Sequence, residues 1–136
     1  MIVVDTNILL YAWGPSGRRA EAIAGLMRFD PVWSAPRLWR SEFRNMLARG
    51  IRQDRLPLPE AEAMLSRAGG SLLGGERDVP DPIVLSLAAS SGCTAYDCEF
   101  AGLAVLLKTV LVTADQALLQ AFPGWCRSLD EMAARR

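Results

Sequence analysis

The residues of this chain that could do chemistry together are four acids spread along its length. They are Asp5, Glu42, Asp97 and Asp115. Converging carboxylates cannot all stay ionised at neutral pH without a counter-charge, and Mg²⁺ and Mn²⁺ prefer oxygen ligands. The chain contains no histidine, which excludes Ser-His-Asp hydrolysis and His-ligated zinc. The residue types therefore favour metal-assisted hydrolysis of a phosphodiester bond.

Three of these acids, Asp5, Asp97 and Asp115, follow short segments that are predicted to be strands. The segments are residues 2–4, 94–96 and 110–112. Ligands of a parallel α/β sheet bind beyond the carboxyl ends of its strands, so the three side chains are expected to converge at one edge. Each Asp also precedes or opens a helix, and an N-cap role worth about 1 kcal/mol would explain any one of them alone.

Glu42 belongs to a helix predicted at Arg37–Ile51. The apolar stripe of that helix consists of Trp39, Phe43, Met46 and Leu47. At about 100° per residue, Glu42 falls at the margin of the stripe, where a carboxylate is costly unless a cation or a donor meets it. It is expected either to point into the same acidic pocket or to pair with Arg40 or Arg49.

Apolar strands alternate with helices along the chain, which predicts an α/β fold in which a parallel sheet is covered on both faces. Helices are predicted at about 8–13, 18–29, 37–51, 59–70, 83–92, 97–107, 115–122 and from 129 onward, and further strands at 31–34 and 93–96. Gly14–Gly17 is predicted to break the chain, and Pro36 to begin the third helix. With 136 residues, 51% of them hydrophobic, the chain fits one domain, 1–136, with a sizeable core.

The cysteines and the N-terminus indicate a reducing compartment. The three cysteines are odd in number and none stands in a C-x-x-C pair, which disfavours a disulfide scaffold and a zinc site. The N-terminus lacks the pattern of a signal peptide, and no uncharged apolar run is long enough to span a bilayer. A cytoplasmic protein without a membrane segment is expected.

Four motifs, in this order, resemble those of PIN-domain nucleases, and their order and spacing match across nearly the whole chain. They are Val3–Tyr11, Leu38–Leu47, Thr94–Asp97 and Leu111–Asp115. Within that family the chain is most similar to the small single-domain VapC-type toxins of bacterial and archaeal toxin–antitoxin modules. The resemblance implies a PIN-like α/β/α sandwich with a short central parallel sheet.

The resemblance also implies an Mg²⁺-dependent endoribonuclease, with Mn²⁺ as an alternative ion, acting as the toxin of a type II toxin–antitoxin system. Such an enzyme hydrolyses RNA phosphodiester bonds with metal-activated water. The implied catalytic residues are Asp5, Glu42, Asp97 and Asp115. Asp5, Asp97 and Asp115 would be metal ligands, and Glu42 would orient the water or help to hold a second ion.

Two further positions match polar residues that support the site in relatives, namely Asn7 and Thr113. Gln116 departs from the family pattern, in which a basic residue often follows the last Asp. Glu99 is left out of the acidic set, because on a helix it would point about 200° away from Asp97.

The net charge of zero is a sum of unlike parts. Residues 18–55 carry nine Arg against four acids, a net of +5, whereas residues 56–136 carry six basic residues against ten acids, a net of −4. Arg37, Arg40 and Arg44 fall within roughly a 60° arc of one helix. They are candidates to bind RNA phosphates or carboxylates of a cognate antitoxin. The resemblance further implies a homodimer.

Other functions remain open on the sequence. One is a PIN nuclease that acts in RNA processing or on structured DNA, and another is a non-catalytic α/β binding module whose Asp residues are helix caps. A phosphoacceptor receiver domain also clusters Asp at strand ends, but it needs a Lys after a late strand. Lys108 precedes the last clear strand, so this class is disfavoured.

Overall fold

A five-stranded parallel sheet forms the centre of the computed structural model, which describes residues 1–15 and 19–135. Its strands are β1 (Ile2–Val4), β2 (Trp33–Pro36), β3 (Glu76–Arg77), β4 (Leu111–Val112) and β5 (Cys126–Arg127). They are arranged in the order β3-β2-β1-β4-β5, and every neighbouring pair is parallel. The predicted α/β fold with a short central parallel sheet is confirmed.

Helices flank the sheet and connect its strands, as parallel pairing requires. They are α1 (Thr6–Trp13), α2 (Ala20–Phe29), α3 (Leu38–Arg52), α4 (Leu58–Ser71), α5 (Asp81–Ser90), α6 (Ala95–Leu106), α7 (Gln116–Ala121) and α8 (Leu129–Ala133). The expected start of the second helix at Arg18 lies outside the described residues, as do Ser16 and Gly17 of the predicted chain break. Within the described residues, no helix combines the length and the apolar composition needed to cross a membrane.

The core is centred on β1 and α6. All three residues of β1 are buried, and α6 packs against β1, β2 and β4. Every residue from Phe100 to Ala104 is buried, so α6 is apolar around its circumference, as expected of a helix enclosed by its neighbours. On its outer side α6 packs against α5, while α2 packs against α8.

Two expectations about the elements are wrong, and one strand was not expected. Residues 93–96 do not form a strand: Thr94 caps α6, and Ala95 and Tyr96 are its first two residues. Pro36 ends β2 instead of starting α3. The φ of a proline is compatible with a strand, and its ring favours an extended conformation of the residue before it. The strand β5 was not expected, since its two residues, Cys126 and Arg127, give no alternating pattern.

Candidate active site

Asp5 lies at the end of β1, where the chain turns into α1, and only 8% of it is exposed. Its Oδ1 accepts a hydrogen bond from the backbone N–H of Thr6 at 2.7 Å. Its Oδ2 accepts from the hydroxyl of Thr113 at 2.7 Å and from the side-chain amide of Asn7 at 3.3 Å. Asp5 is therefore both the N-cap of α1 and a buried carboxylate that three donors hold in place.

Asp115 reaches the same edge of the sheet from β4, the strand next to β1. Its backbone N–H donates to the hydroxyl of Thr113 at 3.0 Å, and its Oδ1 caps α7 by accepting from the N–H of Ala117 at 2.8 Å. The amide oxygen of Asn7 accepts from the N–H of Ala114 at 3.2 Å. Thr113 and Asn7 thus connect the segment of Asp5 to that of Asp115.

Glu42 points from α3 toward the beginning of α1. Its Oε1 accepts a hydrogen bond from the hydroxyl of Thr6 at 2.7 Å. Among the described residues no cation pairs with Glu42. Arg40, which was an expected partner of Glu42, pairs with Glu76 instead. Thr6 was not expected at the site, because nothing in the sequence shows that its hydroxyl faces a helix that begins 32 residues later.

Asp97 lies in the first turn of α6 and not at the end of a strand, so the reason for expecting it at the site is wrong. The N-cap of this helix is Thr94, whose hydroxyl accepts from the N–H of Asp97 at 3.1 Å. The start of α6 nevertheless brings Asp97 close enough to Asp5, Glu42 and Asp115 for their charges to interact. The four expected acids therefore meet at one region of the surface.

Electrostatics at this region oppose ionisation of the carboxyls. Burial raises the pKa of Asp5 from 3.8 to about 6, against the bonds from Thr113 and Thr6, while the charges of Glu42 and Asp97 raise it further. Burial is also the main cause that raises the pKa of Glu42, with the bond from Thr6 opposing it. For Asp97, burial and then the charge of Asp115 raise the pKa. The site is thus short of positive charge.

Glu99 belongs to the same electrostatic environment, although it was left out of the expected set. Burial raises the pKa of Glu99, and the charge of Glu42 raises it further. The charge of Glu42 on α3 acts on Glu99, and the charge of Asp97 acts on Glu42. No pattern within α6 could reveal this, because Glu42 belongs to another helix.

The donor set fits a hard divalent cation in its chemistry, since all of its side-chain ligands would be carboxylate oxygens. Among residues 1–15 and 19–135, however, no group of three or more acidic or cysteine side chains stands close enough to hold a metal as it is. Carboxylates without a cation repel each other, and two of these are engaged in N-cap bonds.

Two of the three arginines that were expected to bind phosphates are engaged with acids. Arg40 Nη2 lies 3.1 Å from Glu76 Oε1, and Arg37 Nε lies 3.1 Å from Asp78 Oδ1. Arg40 also stacks on the ring of Trp39. Among the described residues, the side chain of Arg44 makes one hydrogen bond, which it donates to the hydroxyl of Ser41 at 3.4 Å. Positive charge on this part of α3 is thus largely neutralised by β3 and the residue after it.

Comparison with solved structures gives a match to PAE2754 from Pyrobaculum aerophilum, known from a crystal structure. The TM-score is 0.74 and the sequences are 26% identical, over 98% of this chain and 90% of the other. No protein-family model and no curated protein matches the chain. The similarity supports the α/β fold over the whole chain and carries no statement about activity.

Proposed function

We propose that this protein is an Mg²⁺-dependent endoribonuclease, with Mn²⁺ able to replace Mg²⁺. The observation that carries the proposal is the environment of Asp5, a carboxylate that is buried, held by three donors and faced by Glu42 and Asp97. A carboxylate needed only as a helix cap gains nothing from burial beside two other acids, which raises the pKa of Asp5 to about 6. Such a cost is typical of a functional site.

Asp5, Asp97 and Asp115 would hold the metal ion. When bound, Mg²⁺ supplies positive charge that offsets the charge on the leaving oxygen and lowers the pKa of water. Thr113 and Asn7 hold Asp5 in one orientation, so less freedom is lost when the ion binds. The bond from Thr6 fixes Oε1 of Glu42 and leaves Oε2 to accept.

Glu42 would act as the base of the reaction. Its Oε2 would accept the proton of the attacking water, while a bond forms between the water oxygen and phosphorus and the bond to the leaving ribose oxygen breaks. Burial raises the pKa of Glu42, which brings it closer to the range in which a general base is effective at neutral pH.

We infer the biological role from the resemblance to VapC-type toxins. In that role the protein works in the cytoplasm, a cognate antitoxin inhibits it, and it is a homodimer. An upstream reading frame for a small DNA-binding protein with a C-terminal tail would support the role. A ribosome-maturation neighbourhood would favour the alternative of a PIN nuclease in RNA processing.

The test combines metal binding with cleavage. Wild-type protein is titrated with Mn²⁺ by calorimetry, and labelled RNA is incubated with protein in Mg²⁺ or in EDTA. We expect Asp5→Asn, Asp97→Asn and Asp115→Asn each to weaken Mn²⁺ binding and to lower cleavage by roughly 100-fold or more. Asp130→Asn is the matched control, since Asp130 is an exposed acid of α8.

A second candidate is a non-catalytic binding module, which the capping bonds of Asp5 and Asp115 favour. Asp5→Asn separates the two, because Asn is as good an N-cap as Asp but carries no charge. If wild type binds no divalent ion and the variant neither changes cleavage nor relieves growth inhibition, the nuclease proposal is wrong and the capping role remains.

A further inference from the structure

A groove runs away from the site between α1 and α3. Its near end has a volume of about 330 Å³ and is lined by Asn7, Leu10, Tyr11, Pro15, Met46 and Leu47. Asn7 also donates to Asp5 at 3.3 Å, so the groove begins one side chain away from the acids. A pocket of this size and mostly apolar lining suits a flat organic group.

The groove continues beyond Pro15 and Met46, which line both of its parts. The far part has a volume of about 620 Å³ and is lined further by Arg49, Gly50, Gln53, Arg55 and Leu56. Its floor follows α3 for about 10 Å from Met46 to Gln53 at 1.5 Å per residue. That length accommodates more than one nucleotide of a stacked strand, which rises about 3.4 Å per nucleotide.

Arg49 and Arg55 differ from the arginines at the start of α3. Arg37 and Arg40 pair with acids of the β3 region, whereas neither Arg49 nor Arg55 makes an ion pair with any residue of 1–15 or 19–135. Both are exposed. A guanidinium is suited to bidentate contact with phosphate, so the far end of the groove offers two cations to an anion.

We propose that this groove holds the RNA nucleotides next to the scissile phosphate, with a base against Tyr11 and Met46 and a backbone phosphate on Arg49 and Arg55. The inference rests on the proposed nuclease function, because it assigns the RNA a path that starts at the acids. An apolar near part and a cationic far part complement a nucleotide strand, whose bases are flat and whose backbone is anionic. Arg49 also lies in the last turn of α3, where a cation stabilises the helix, so the test must separate binding from stability.

The test measures binding of a single-stranded RNA oligonucleotide in EDTA, by fluorescence anisotropy, between 50 and 200 mM salt, about the range over which phosphate contacts change affinity. The slope of log K for RNA binding against log salt concentration changes by about 0.7 per phosphate contact on a single strand. The double variant Arg49→Gln/Arg55→Gln is therefore expected to make this slope shallower by about 1.4. The control Arg28→Gln/Arg135→Gln makes the same change in net charge near α2 and α8, beside a different pocket. It should leave the slope unchanged.

Met46→Ala tests the near part. The side chain of Met46 is 43% exposed, so its truncation should leave the free energy of unfolding nearly unchanged. Loss of a base contact should weaken RNA binding by roughly fivefold. An oligonucleotide of abasic sugar-phosphate should bind wild type and Met46→Ala equally.

A small phosphodiester without flanking nucleotides, bis(p-nitrophenyl) phosphate, separates this inference from the proposed function. The groove variants should hydrolyse it at the wild-type rate in Mn²⁺ while their KM for RNA rises. If wild type cleaves neither substrate, the nuclease proposal fails, and RNA binding in EDTA still tests the groove. An RNA affinity and salt slope unchanged in the groove variants overturn the inference.

Discussion

The hydroxyl of Thr113 lies 2.7 Å from Oδ2 of Asp5, although 108 residues separate them in the chain. The contact exists because β1 and β4 are neighbours in the sheet, with Val4 in register with Val112. The same hydroxyl accepts the N–H of Asp115 at 3.0 Å. One buried oxygen atom therefore sets the positions of two of the four acids.

Thr113→Val is expected to lower the free energy of unfolding by about 1–3 kcal/mol, because the partly buried N–H of Asp115 loses its acceptor. It should also raise the pKa of Asp5, since a bond that lowers it is removed. Urea unfolding and Mn²⁺ calorimetry measure the two effects. Thr113→Ser keeps the hydroxyl and should stay close to wild type in Mn²⁺ affinity. Equal affinities for Val and Ser would contradict the role of the hydroxyl.

The stability of the metal-free protein should depend on the ionisation of Asp5. Its pKa is about 6 in the folded chain against 3.8 ordinarily, so the unfolded state loses this proton first. The contribution of Asp5 to the free energy of unfolding is therefore fully present below about pH 4 and is lost as the pH rises through about 6. This loss amounts to about 3 kcal/mol. Urea unfolding in EDTA at pH 4 and pH 8 measures it.

Asp5→Asn is the comparison for that measurement, because the Asn side chain cannot ionise. Its free energy of unfolding should fall less between pH 4 and pH 8 than that of wild type, by about 3 kcal/mol. Mg²⁺ should stabilise wild type more at pH 8 than at pH 5, since it binds the ionised carboxylate. If the free energy of unfolding depends on pH in the same way in wild type and in Asp5→Asn, the pKa of Asp5 is not raised in the folded chain.

Thr6→Val is expected to lower kcat by about 10- to 100-fold, as loss of a group that orients a catalytic residue does. The hydrogen bond from Thr6 lowers the pKa of Glu42. The variant removes this bond, so the pKa of Glu42 should rise. The acidic limb of the pH–rate profile should therefore move to higher pH. Thr6→Ser should restore both quantities. A lower kcat with an unmoved acidic limb would point to a structural defect and not to positioning of Glu42.

Glu76→Gln is expected to release Arg40, since Glu76 lies 3.1 Å from Arg40, whereas Arg37 keeps its contact with Asp78 at 3.1 Å. If Arg40 then reaches RNA, the affinity for RNA should rise and the salt dependence should steepen by about 0.7 for one new phosphate contact. The loss of stability should stay below about 1 kcal/mol, because the pairs are partly exposed. Asp130→Asn breaks the pair with Arg19 and supplies the control. The same slope in both variants would mean that Arg40 does not reach RNA.

The sequence predicted the parts of the fold whose causes are local. The apolar residues of β1 followed by Asp5, and those of β4 followed shortly by Asp115, indicate two strands that end in acids, and both are found. Helical periodicity placed Glu42 at the margin of a buried stripe, and the structure finds it half-buried there. These features depend on residues within a few positions of each other.

Features that arise from packing were missed or were reached for a wrong reason. Asp97 is near the other acids because Thr94 starts a helix there, not because a strand ends. The contact of Thr6 with Glu42 spans 36 residues, and the pairing of Arg40 with Glu76 also spans 36. Such contacts are set by the order of the sheet and the approach of helices, which periodicity alone does not encode.

The order of the strands has a consequence for synthesis of the chain. β1 leaves the ribosome first, whereas its neighbour β4 follows more than 100 residues later. Until residues 111–115 have emerged, Asp5 lacks the donor Thr113 and has no Asp115 beside it. A nascent chain thus carries an incomplete set of acids until residues 111–115 have emerged. Under the proposed function, the nascent chain cannot cleave its own mRNA before residues 111–115 have been translated.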